Sequence, residues 1–338
     1  MAGADLVGSG SVEKLEDVVV RSAEQVAGQV RAAKEAIATV IFGQDRVIEN
    51  TLVTILSGGH ALLIGVPGLA KTKLVETLGK VLGLAEQRVQ FTPDLLPADI
   101  IGSEVLEEGA DKSRAFRFIP GPIFAQLLMA DEINRASPRT QSALLQAMQE
   151  HHVSVAGVRH DLPRPFHVLA TQNPLEQEGT YPLPEAQLDR FLMEIDVPYP
   201  DRASERRVML ETTGADVAEP ARALDAEELM AIQRLVRRLP VGDKVIDAIL
   251  DLVRAARPGE GDPEISKYVS WGPGPRAAQA LMLATRARAL ATGRLSPSLD
   301  DVAALAAPVL RHRMALTYPA RRETTVAALI GKLVSRIG

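Results

Sequence analysis

The sequence predicts a layered α/β domain built on a parallel sheet, followed by a smaller all-α domain. Between residues 60 and 200, five short apolar runs bounded by Gly, Pro or Asp alternate with helical patterns. Such runs are typical of buried parallel strands joined by crossover helices. Beyond Pro198 and Pro200, only helical patterns follow. The length of 338 residues agrees with this division, since about 150 residues is a common domain size.

The first predicted element is a helix from residue 11 to about residue 40, where apolar side chains recur at three- and four-residue steps. Two hairpins are predicted among the strands, at 103–118 with its turn at 108–111, and at 152–160 with its turn at Ala156 and Gly157. The five predicted strands lie at 61–64, 88–91, 127–130, 167–171 and 193–197.

The second domain is predicted to contain five helices. Asp225 caps the first, which runs to Leu239, and Asp243 caps the second, which runs to about residue 257. The other three lie at 276–291, 299–314 and 322–336. We therefore expect a flexible start and an N-terminal helix at 1–40, the α/β core at 41–200 and the all-α domain at 201–338.

Composition excludes several classes of protein. The absence of Cys excludes disulfides, Cys-ligated zinc, iron–sulfur clusters and a thiol nucleophile. A net charge of −5 with 4% aromatic residues argues against a nucleic-acid partner, which a basic groove and stacking rings would bind. No stretch reaches the ~18 apolar residues that a membrane helix needs, and no secretory signal pattern is found at the N-terminus. We expect a soluble cytoplasmic protein.

A loop of sequence GVPGLAKT, at 65–72, follows the first predicted strand and opens a helical pattern. This is the context of a phosphate-binding loop, in which backbone N–H groups and the helix dipole face the anion. Lys71 would reach the β- and γ-phosphates, and the Thr72 hydroxyl would bind Mg²⁺. Ala70 stands where the motif has Gly, and a positive φ would strain it. The alternative is a tight turn with a surface lysine. The residues expected to bind nucleotide here are Gly65, Pro67, Gly68, Leu69, Ala70, Lys71, Thr72 and Lys73.

The third predicted strand ends in two carboxylates, Asp131 and Glu132. Ligands bind at the carboxyl ends of strands in open α/β sheets. Asp131 would hold Mg²⁺ through water, together with Thr72, and Glu132 would polarise a water as general base. The alternative is a pair of acids at a helix N-terminus, but Ser137 and Pro138 mark the start of the next helix and the carboxylates precede them. Together the two segments indicate a site for ATP and Mg²⁺.

Four segments, taken in order, resemble the MoxR family of AAA+ ATPases. They are the loop at 65–72, DEINRA at 131–136, TQNP at 171–174 and EAQLDRF at 185–191. The segments at 91–97 and 311–313 resemble the family as well, so that the resemblance spans about residues 40 to 335. Ala before the Lys also occurs in MoxR-type loops. The resemblance implies a P-loop NTPase core with two hairpin inserts, the helix-2 insert and the pre-sensor-1 insert, and a lid domain.

The resemblance also implies roles for three polar residues. Asn173 is similar to sensor 1, which bonds the attacking water or the γ-phosphate, and its alternative is an Asn-Pro turn residue. Arg190 is similar to the arginine finger that reaches a neighbouring subunit, and its alternative is an exposed arginine paired with Asp189 or Glu194. Arg276 is similar to sensor 2, which clamps nucleotide as the domains close. As a cation on a first helical turn, Arg276 suggests an anionic partner.

Two groups of apolar residues receive roles from the resemblance. Ile41 and Phe42 resemble the segment that contacts adenine in AAA+ domains, and a helix end at Gly43 is compatible with that role. The two hairpins face the pore or a partner in the family's rings. The alternative for their apolar side chains is packing within the strands. These side chains belong to Phe116, Phe118, Val153 and Val155.

The function that the resemblance implies is a ring-forming ATPase, a hexamer in the family, that hydrolyses ATP to remodel other proteins. MoxR relatives assist maturation or metal-cofactor insertion, often with a von Willebrand factor A-domain protein, which would be a separate client here. The alternative is a nucleic-acid motor or a magnesium-chelatase-like motor of the same AAA+ branch, against which the net charge of −5 argues. A nucleotide-gated scaffold that barely hydrolyses is a third possibility, and Glu132 argues against it.

Overall fold

The structure is a computed structural model that describes residues 9–108, 114–176, 178–213, 219–259 and 261–337, with side chains from residue 23 onward. The first elements are α1 (Ser9–Ala38), α2 (Asp45–Leu56), β1 (Ala61–Ile64), α3 (Lys71–Val81), β2 (Glu86–Gln90), α4 (Pro97–Ile101), β3 (Gly102–Glu108), β4 (Arg114–Pro120), β5 (Leu127–Asp131), α5 (Pro138–Glu150), β6 (His152–Val155), β7 (Val158–Asp161), β8 (His167–Gln172), α6 (Glu185–Leu188) and β9 (Met193–Asp196). The remaining elements are α7 (Arg202–Thr212), α8 (Ala226–Val236), α9 (Asp243–Ala255), α10 (Pro263–Ser266), β10 (Val269–Trp271), α11 (Pro275–Ala291), α12 (Leu299–Leu310), β11 (Ala315–Leu316) and α13 (Val326–Val334).

The central sheet is parallel and contains the five predicted strands in the order β2-β5-β8-β1-β9. Every residue of β5 is buried, as expected for a strand covered on both faces. The carboxyl ends of parallel strands meet at one edge of a sheet. Because β1, β8 and β5 are neighbours, the segments that follow them lie close together at that edge.

Both predicted hairpins are confirmed. Strands β3 and β4 pair antiparallel from Gly102 opposite Pro120 to Glu108 opposite Arg114, and the part of the predicted turn at 109–111 lies outside the described residues. Strands β6 and β7 pair around the turn at 156–157. The rings of Phe118 and His160 stack at 3.9 Å between centroids, so the two hairpins contact each other.

The second domain is helical as expected, with one correction. The short strands β10 and β11 pair antiparallel, so that the domain is not all-α. Their three and two residues carry no alternating pattern long enough to identify a strand from the sequence. Asp225 caps α8 as predicted, and its carboxylate accepts from the N–H groups of Glu227 and Glu228.

Several helix boundaries differ from the prediction. The first helix ends at Ala38 rather than near residue 40, and Gly43, with φ +68, lies in the link to α2 rather than at a helix end. Asp243 is the first residue of α9, which Gly242 precedes as N-cap. Helix α12 ends at Leu310 and a 3₁₀ turn follows at Arg311–Arg313, while α13 begins only at Val326. Helices α2 and α7 were not predicted.

The two faces of the sheet belong to two clusters of buried side chains, because successive strand residues point to opposite faces. One cluster contains Leu62 and Leu128 with α5. The other contains Leu63 and Met129 with α1, α2, α3 and the helices of the second domain. Helix α11 contacts α1 and α2, and α12 contacts the edge strand β9. In the described ranges no helix combines the length and apolarity that a membrane crossing requires.

Candidate nucleotide site

The loop between β1 and α3 is held tightly against the neighbouring strand. A Cβ built at Gly65 would lie 2.9 Å from the carbonyl oxygen of Val197, which explains glycine at that position. Ala70, directly before α3, has φ 56 and ψ 22, in the left-handed region. The predicted strain at this alanine is therefore present, and it corresponds to roughly 1–2 kcal/mol for an L-residue other than Gly.

The side chain of Lys71 lies across this loop and contacts its first residues. Its Nζ donates to the carbonyl oxygens of Gly65 at 2.6 Å and Val66 at 2.8 Å. Burial lowers the pKa of Lys71, and the nearby carboxylates of Asp131 and Glu132 oppose that shift. The first amide groups of α3 have no acceptor within the helix. The loop thus brings an ammonium group and a set of N–H donors to one place.

Asp131, the last residue of β5, is bound by two side chains from neighbouring strands. Its Oδ1 accepts from the Thr171 hydroxyl at 2.5 Å, and its Oδ2 accepts from Arg88 Nη2 at 2.6 Å. The same Thr171 oxygen accepts from the backbone N–H of Glu132 at 2.9 Å. Thr171 therefore links both carboxylate residues to the end of β8, a role that the sequence analysis missed.

Glu132 is held by two donors. Its backbone has φ 54 and ψ 51, a strained conformation that is frequent at functional sites. Its Oε2 accepts from Gln90 Nε2 at 2.8 Å and from Arg135 Nη1 at 3.1 Å. Arg88 and Gln90 lie two residues apart on β2 and thus share one face of the sheet. No sequence motif identifies these two residues, because a motif does not show that β2 lies beside β5.

Asn173 follows β8 and is buried. Its Oδ1 accepts from the N–H of Leu175 at 3.1 Å, so the turn role of this residue is present. No acceptor for its Nδ2 is found in the part of the chain that the structure describes. The structure brings the predicted phosphate and metal residues together around a cavity of about 410 Å³. Its lining is Pro67, Gly68, Leu69, Ala70, Lys71, Thr72, Lys73, Asp131, Glu132, Thr171 and Asn173.

A second cavity, of about 730 Å³, adjoins the first and shares the loop at 67–70 and Lys73 with it. Ile41 and Phe42 line this cavity. The guanidinium of Arg207, on α7, lies 4.5 Å from the centroid of the Phe42 ring. Helix α7, which the sequence did not predict, supplies part of the lining. The lining on α7 and just before it contains Tyr199, Pro200, Val208, Met209 and Thr212.

Arg190 and Arg276 line neither of these cavities. They line a separate pocket of about 270 Å³, together with Asp189 and Arg313. The clamping role expected of Arg276 as the domains close stays a prediction. The packing of α11 against α1 and α2 places the first turn of α11 beside Asp189, with Arg276 Nη1 3.9 Å from Asp189 Oδ2.

The side chain of Arg190 makes no hydrogen bond or ion pair with any residue in the described ranges. The alternative in which Arg190 pairs with Asp189 or Glu194 is thus not observed. Asp189 binds Arg313 instead, at 2.7 Å, and faces Arg276. Arg190 is thus a half-buried cation without a partner among the described residues.

A parallel sheet with a glycine-containing loop after β1, an acid pair at the end of β5 and a following helical domain is the architecture of an AAA+ ATPase. The model of the ATPase family associated with various cellular activities (AAA) matches residues 60–193, and the AAA lid domain model matches residues 264–332.

Named relatives specify the family. The chain is 43% identical to Chaperone MoxR1 of Mycobacterium tuberculosis over 88% of this chain and 79% of the relative. It is 35% identical to Protein MoxR of Paracoccus denitrificans over 89% of this chain and 93% of the relative. A crystal structure of a candidate ATPase from Cytophaga hutchinsonii aligns with a TM-score of 0.87 at 34% identity, over 97% and 98% of the two chains. The chain belongs to the MoxR family of AAA+ ATPases.

Proposed function

We propose that the chain binds ATP with Mg²⁺ in the two adjoining cavities and hydrolyses it to ADP and phosphate. The observation that carries this proposal is the convergence of the loop at 65–72, the acid pair and Asn173 on one cavity. The Thr72 hydroxyl and the Asp131 carboxylate fit Mg²⁺, which prefers oxygen ligands. When bound, Mg²⁺ would neutralise charge on the β- and γ-phosphates. Ile41 and Phe42 would pack against the base.

The residues of the site would change partners when they act. Lys71 would exchange the carbonyl oxygens of Gly65 and Val66 for phosphate oxygens. Glu132 would accept a proton from the attacking water at Oε1, while Gln90 and Arg135 donate to its other oxygen, Oε2. Asn173 would use its Nδ2 to orient that water or the γ-phosphate. Arg88 would leave Asp131 when the metal is bound.

We propose that Arg190 and Arg276 act on the nucleotide of a neighbouring copy in a ring, for which a hexamer is the expected size. Arg190 and Arg276 line the same pocket, where two guanidinium groups suit an anionic ligand. Arg190 is unpaired within the described chain, and it is separate from the cavity around Lys71. In other nucleoside triphosphatases, an arginine supplied by a neighbour raises the rate of hydrolysis about 10³- to 10⁵-fold.

The work done by hydrolysis would be remodelling of a client protein, through its maturation or through metal-cofactor insertion. One relative is named a chaperone. The β3–β4 hairpin supports a protein client, because Leu106 and Phe116 face each other across its strands and are 54% and 71% exposed. A separately encoded von Willebrand factor A-domain protein is the proposed kind of client. A nucleic-acid motor remains the second candidate function, disfavoured by the net charge of −5.

Two variants test the proposed chemistry. Glu132→Gln should keep binding of a fluorescent ATP analogue and lose phosphate release, since an amide cannot serve as the base. Lys71→Ala should lose binding of the analogue. Lys80→Ala, an exposed lysine at the other end of α3, is the matched control and should behave like the parent. Unchanged binding in Lys71→Ala would place the nucleotide elsewhere, and hydrolysis that rises with added DNA in a salt-dependent manner would favour the motor.

A further inference from the structure

The segment Arg311–Arg313 has no part in the function described so far, yet its last residue is the largest fully buried side chain in the described chain. Arg313 is 2% exposed. A guanidinium is always charged and carries five N–H donors, so burial is tolerated only where these donors find acceptors. The groups that accept hydrogen bonds from Arg313 therefore indicate the structural role of this residue.

Nearly all acceptors of Arg313 lie in one short segment of the α/β domain, residues 189–192. Its Nε donates to Asp189 Oδ1 at 2.7 Å. One Nη donates to the carbonyl oxygens of Asp189 at 3.2 Å and Phe191 at 2.6 Å, and the other donates to those of Leu192 at 3.2 Å and Val309 at 2.5 Å. Five hydrogen bonds thus use the full set of donors, and only Val309 belongs to the lid.

The residue before Arg313 contacts the same segment. His312 is buried, and its Nε2 lies 3.1 Å from the carbonyl oxygen of Phe191. Burial lowers the pKa of His312 well below its ordinary value, so the ring is neutral and donates one N–H. Two consecutive residues of the lid therefore fix the backbone of residues 189–192.

This fixed segment carries Arg190, whose own side chain has no partner within the described ranges. Its first residue, Asp189, is shared between two arginines. Oδ1 binds Arg313, and Oδ2 faces Arg276 at 3.9 Å. The backbone of Arg190 and the ion pair between Arg276 and Asp189 thus both involve the segment that Arg313 holds.

We propose that Arg313 is a positioning residue, which holds the segment at 189–192 so that Arg190 and Arg276 are presented together to the nucleotide of the neighbouring copy. This inference rests on the proposed action of these arginines on a neighbour. Arg313 itself is buried and does not reach the nucleotide. Its effect is on the geometry of the two arginines, where a displacement of about 1 Å is enough to reduce a rate about 10²-fold.

The test compares Arg313→Lys with Arg311→Met. Lysine keeps the charge but has three donors for five acceptors, so the segment loses its fixed position. Arg311 also ties the lid to the α/β domain, through its ion pair with Asp196 on β9, but does not touch residues 189–192. We expect Arg313→Lys to lower kcat about 10- to 100-fold with KM unchanged. Arg311→Met should retain kcat within about twofold, and both should bind the fluorescent ATP analogue like the parent.

Mixed rings separate positioning from a general structural role. Subunits with Arg313→Lys keep their own Glu132, and subunits with Glu132→Gln keep a well-placed Arg190. Mixing the two should therefore restore hydrolysis above that of either variant alone. A mixture of Arg190→Ala with Glu132→Gln subunits is the reference and should be restored to a similar extent.

Three results would overturn the proposal: full kcat in Arg313→Lys, loss of analogue binding at its own site, or rescue of the Arg190→Ala mixture without rescue of the Arg313→Lys mixture. If Arg190→Ala alone keeps full kcat, the action on a neighbour fails and the positioning role fails with it. If Arg313→Lys does not fold by circular dichroism, Asp189→Asn replaces it. That variant should show the same reduced kcat and the same rescue, and normal kcat there would refute the inference.

Discussion

The left-handed conformation of Ala70 gives a quantitative prediction for the phosphate loop. Ala70 has φ 56 directly before α3, where most loops of this type have Gly. The conformation costs an alanine roughly 1–2 kcal/mol, which glycine does not experience. Glycine in turn loses about 0.4–1 kcal/mol more entropy on folding. Ala70→Gly should therefore raise the free energy of unfolding by about 0.5–1 kcal/mol.

The chain offers two matched comparisons. Ala156, in the turn between β6 and β7, has φ 48, so Ala156→Gly should stabilise by a similar amount far from the phosphate loop. Ala304 is exposed on α12, where helical φ suits alanine, so Ala304→Gly should lower the free energy of unfolding by about 0.5–1 kcal/mol. Urea unfolding followed by circular dichroism, without nucleotide, measures all three variants.

The sign of the change in the free energy of unfolding of Ala70→Gly decides whether Ala70 is strained. If Ala70→Gly destabilises the chain as much as Ala304→Gly does, then Ala70 is not strained and the assignment of strain to the loop is wrong. If Ala156→Gly stabilises and Ala70→Gly does not, a left-handed alanine is strained at Ala156, and the loop at Ala70 relaxes in solution to another conformation. Either result would contradict the assignment of a strained alanine to this loop.

Other predictions concern the carboxylate cluster and the buried His167. Thr171→Val should lower the free energy of unfolding, measured by urea unfolding, by about 2 kcal/mol, because it leaves Asp131 Oδ1 and the N–H of Glu132 without this partner. Thr77→Val is the control: it loses one hydrogen bond, to the carbonyl oxygen of Lys73, and should lower the free energy of unfolding by about 1 kcal/mol. Gln90→Leu should raise basal phosphate release about two- to tenfold by loosening Glu132, and an unchanged rate would contradict this. Burial lowers the pKa of His167 to about 4, so the unfolded chain binds the extra proton and stability should fall as pH drops from about 6.5 to about 4, on the order of 3 kcal/mol. His167→Gln should flatten that dependence in urea unfolding curves, and an unchanged slope would refute it.

The fold was predictable where local pattern and burial coincide. The five strands of the sheet are short apolar runs closed by Gly, Pro or Asp, and all five lie in one parallel sheet. Helix α7 was missed because none of its residues is buried, so it lacks the apolar face on which the periodicity argument depends. Strands β10 and β11 are too short to show any period.

The site was predictable only for residues that stand inside a motif. Lys71, Thr72, Asp131 and Glu132 owe their positions to the turn after one strand and the end of another, and they meet at one cavity. Arg88 and Gln90 owe theirs to the order of the strands, since β2 could contact the acid pair only by lying next to β5. Strand order depends on the packing of the whole domain, and no short segment of sequence determines it.

Placement of the arginines required the structure for a similar reason. A sequence motif identifies Arg190 and Arg276 as candidate site residues, but it does not show which nucleotide their side chains can reach. In the folded chain they share Asp189 and Arg313 in one pocket, while the phosphate loop lies in another cavity. If Arg190 and Arg276 act on a neighbouring copy as proposed, a site complete with both arginines requires two copies. The buried contact at Arg313 joins the lid to the α/β domain within one subunit, and it would then also hold the arginines that act on the next subunit. A change in lid position would therefore alter hydrolysis in the neighbouring subunit rather than at the subunit's own site.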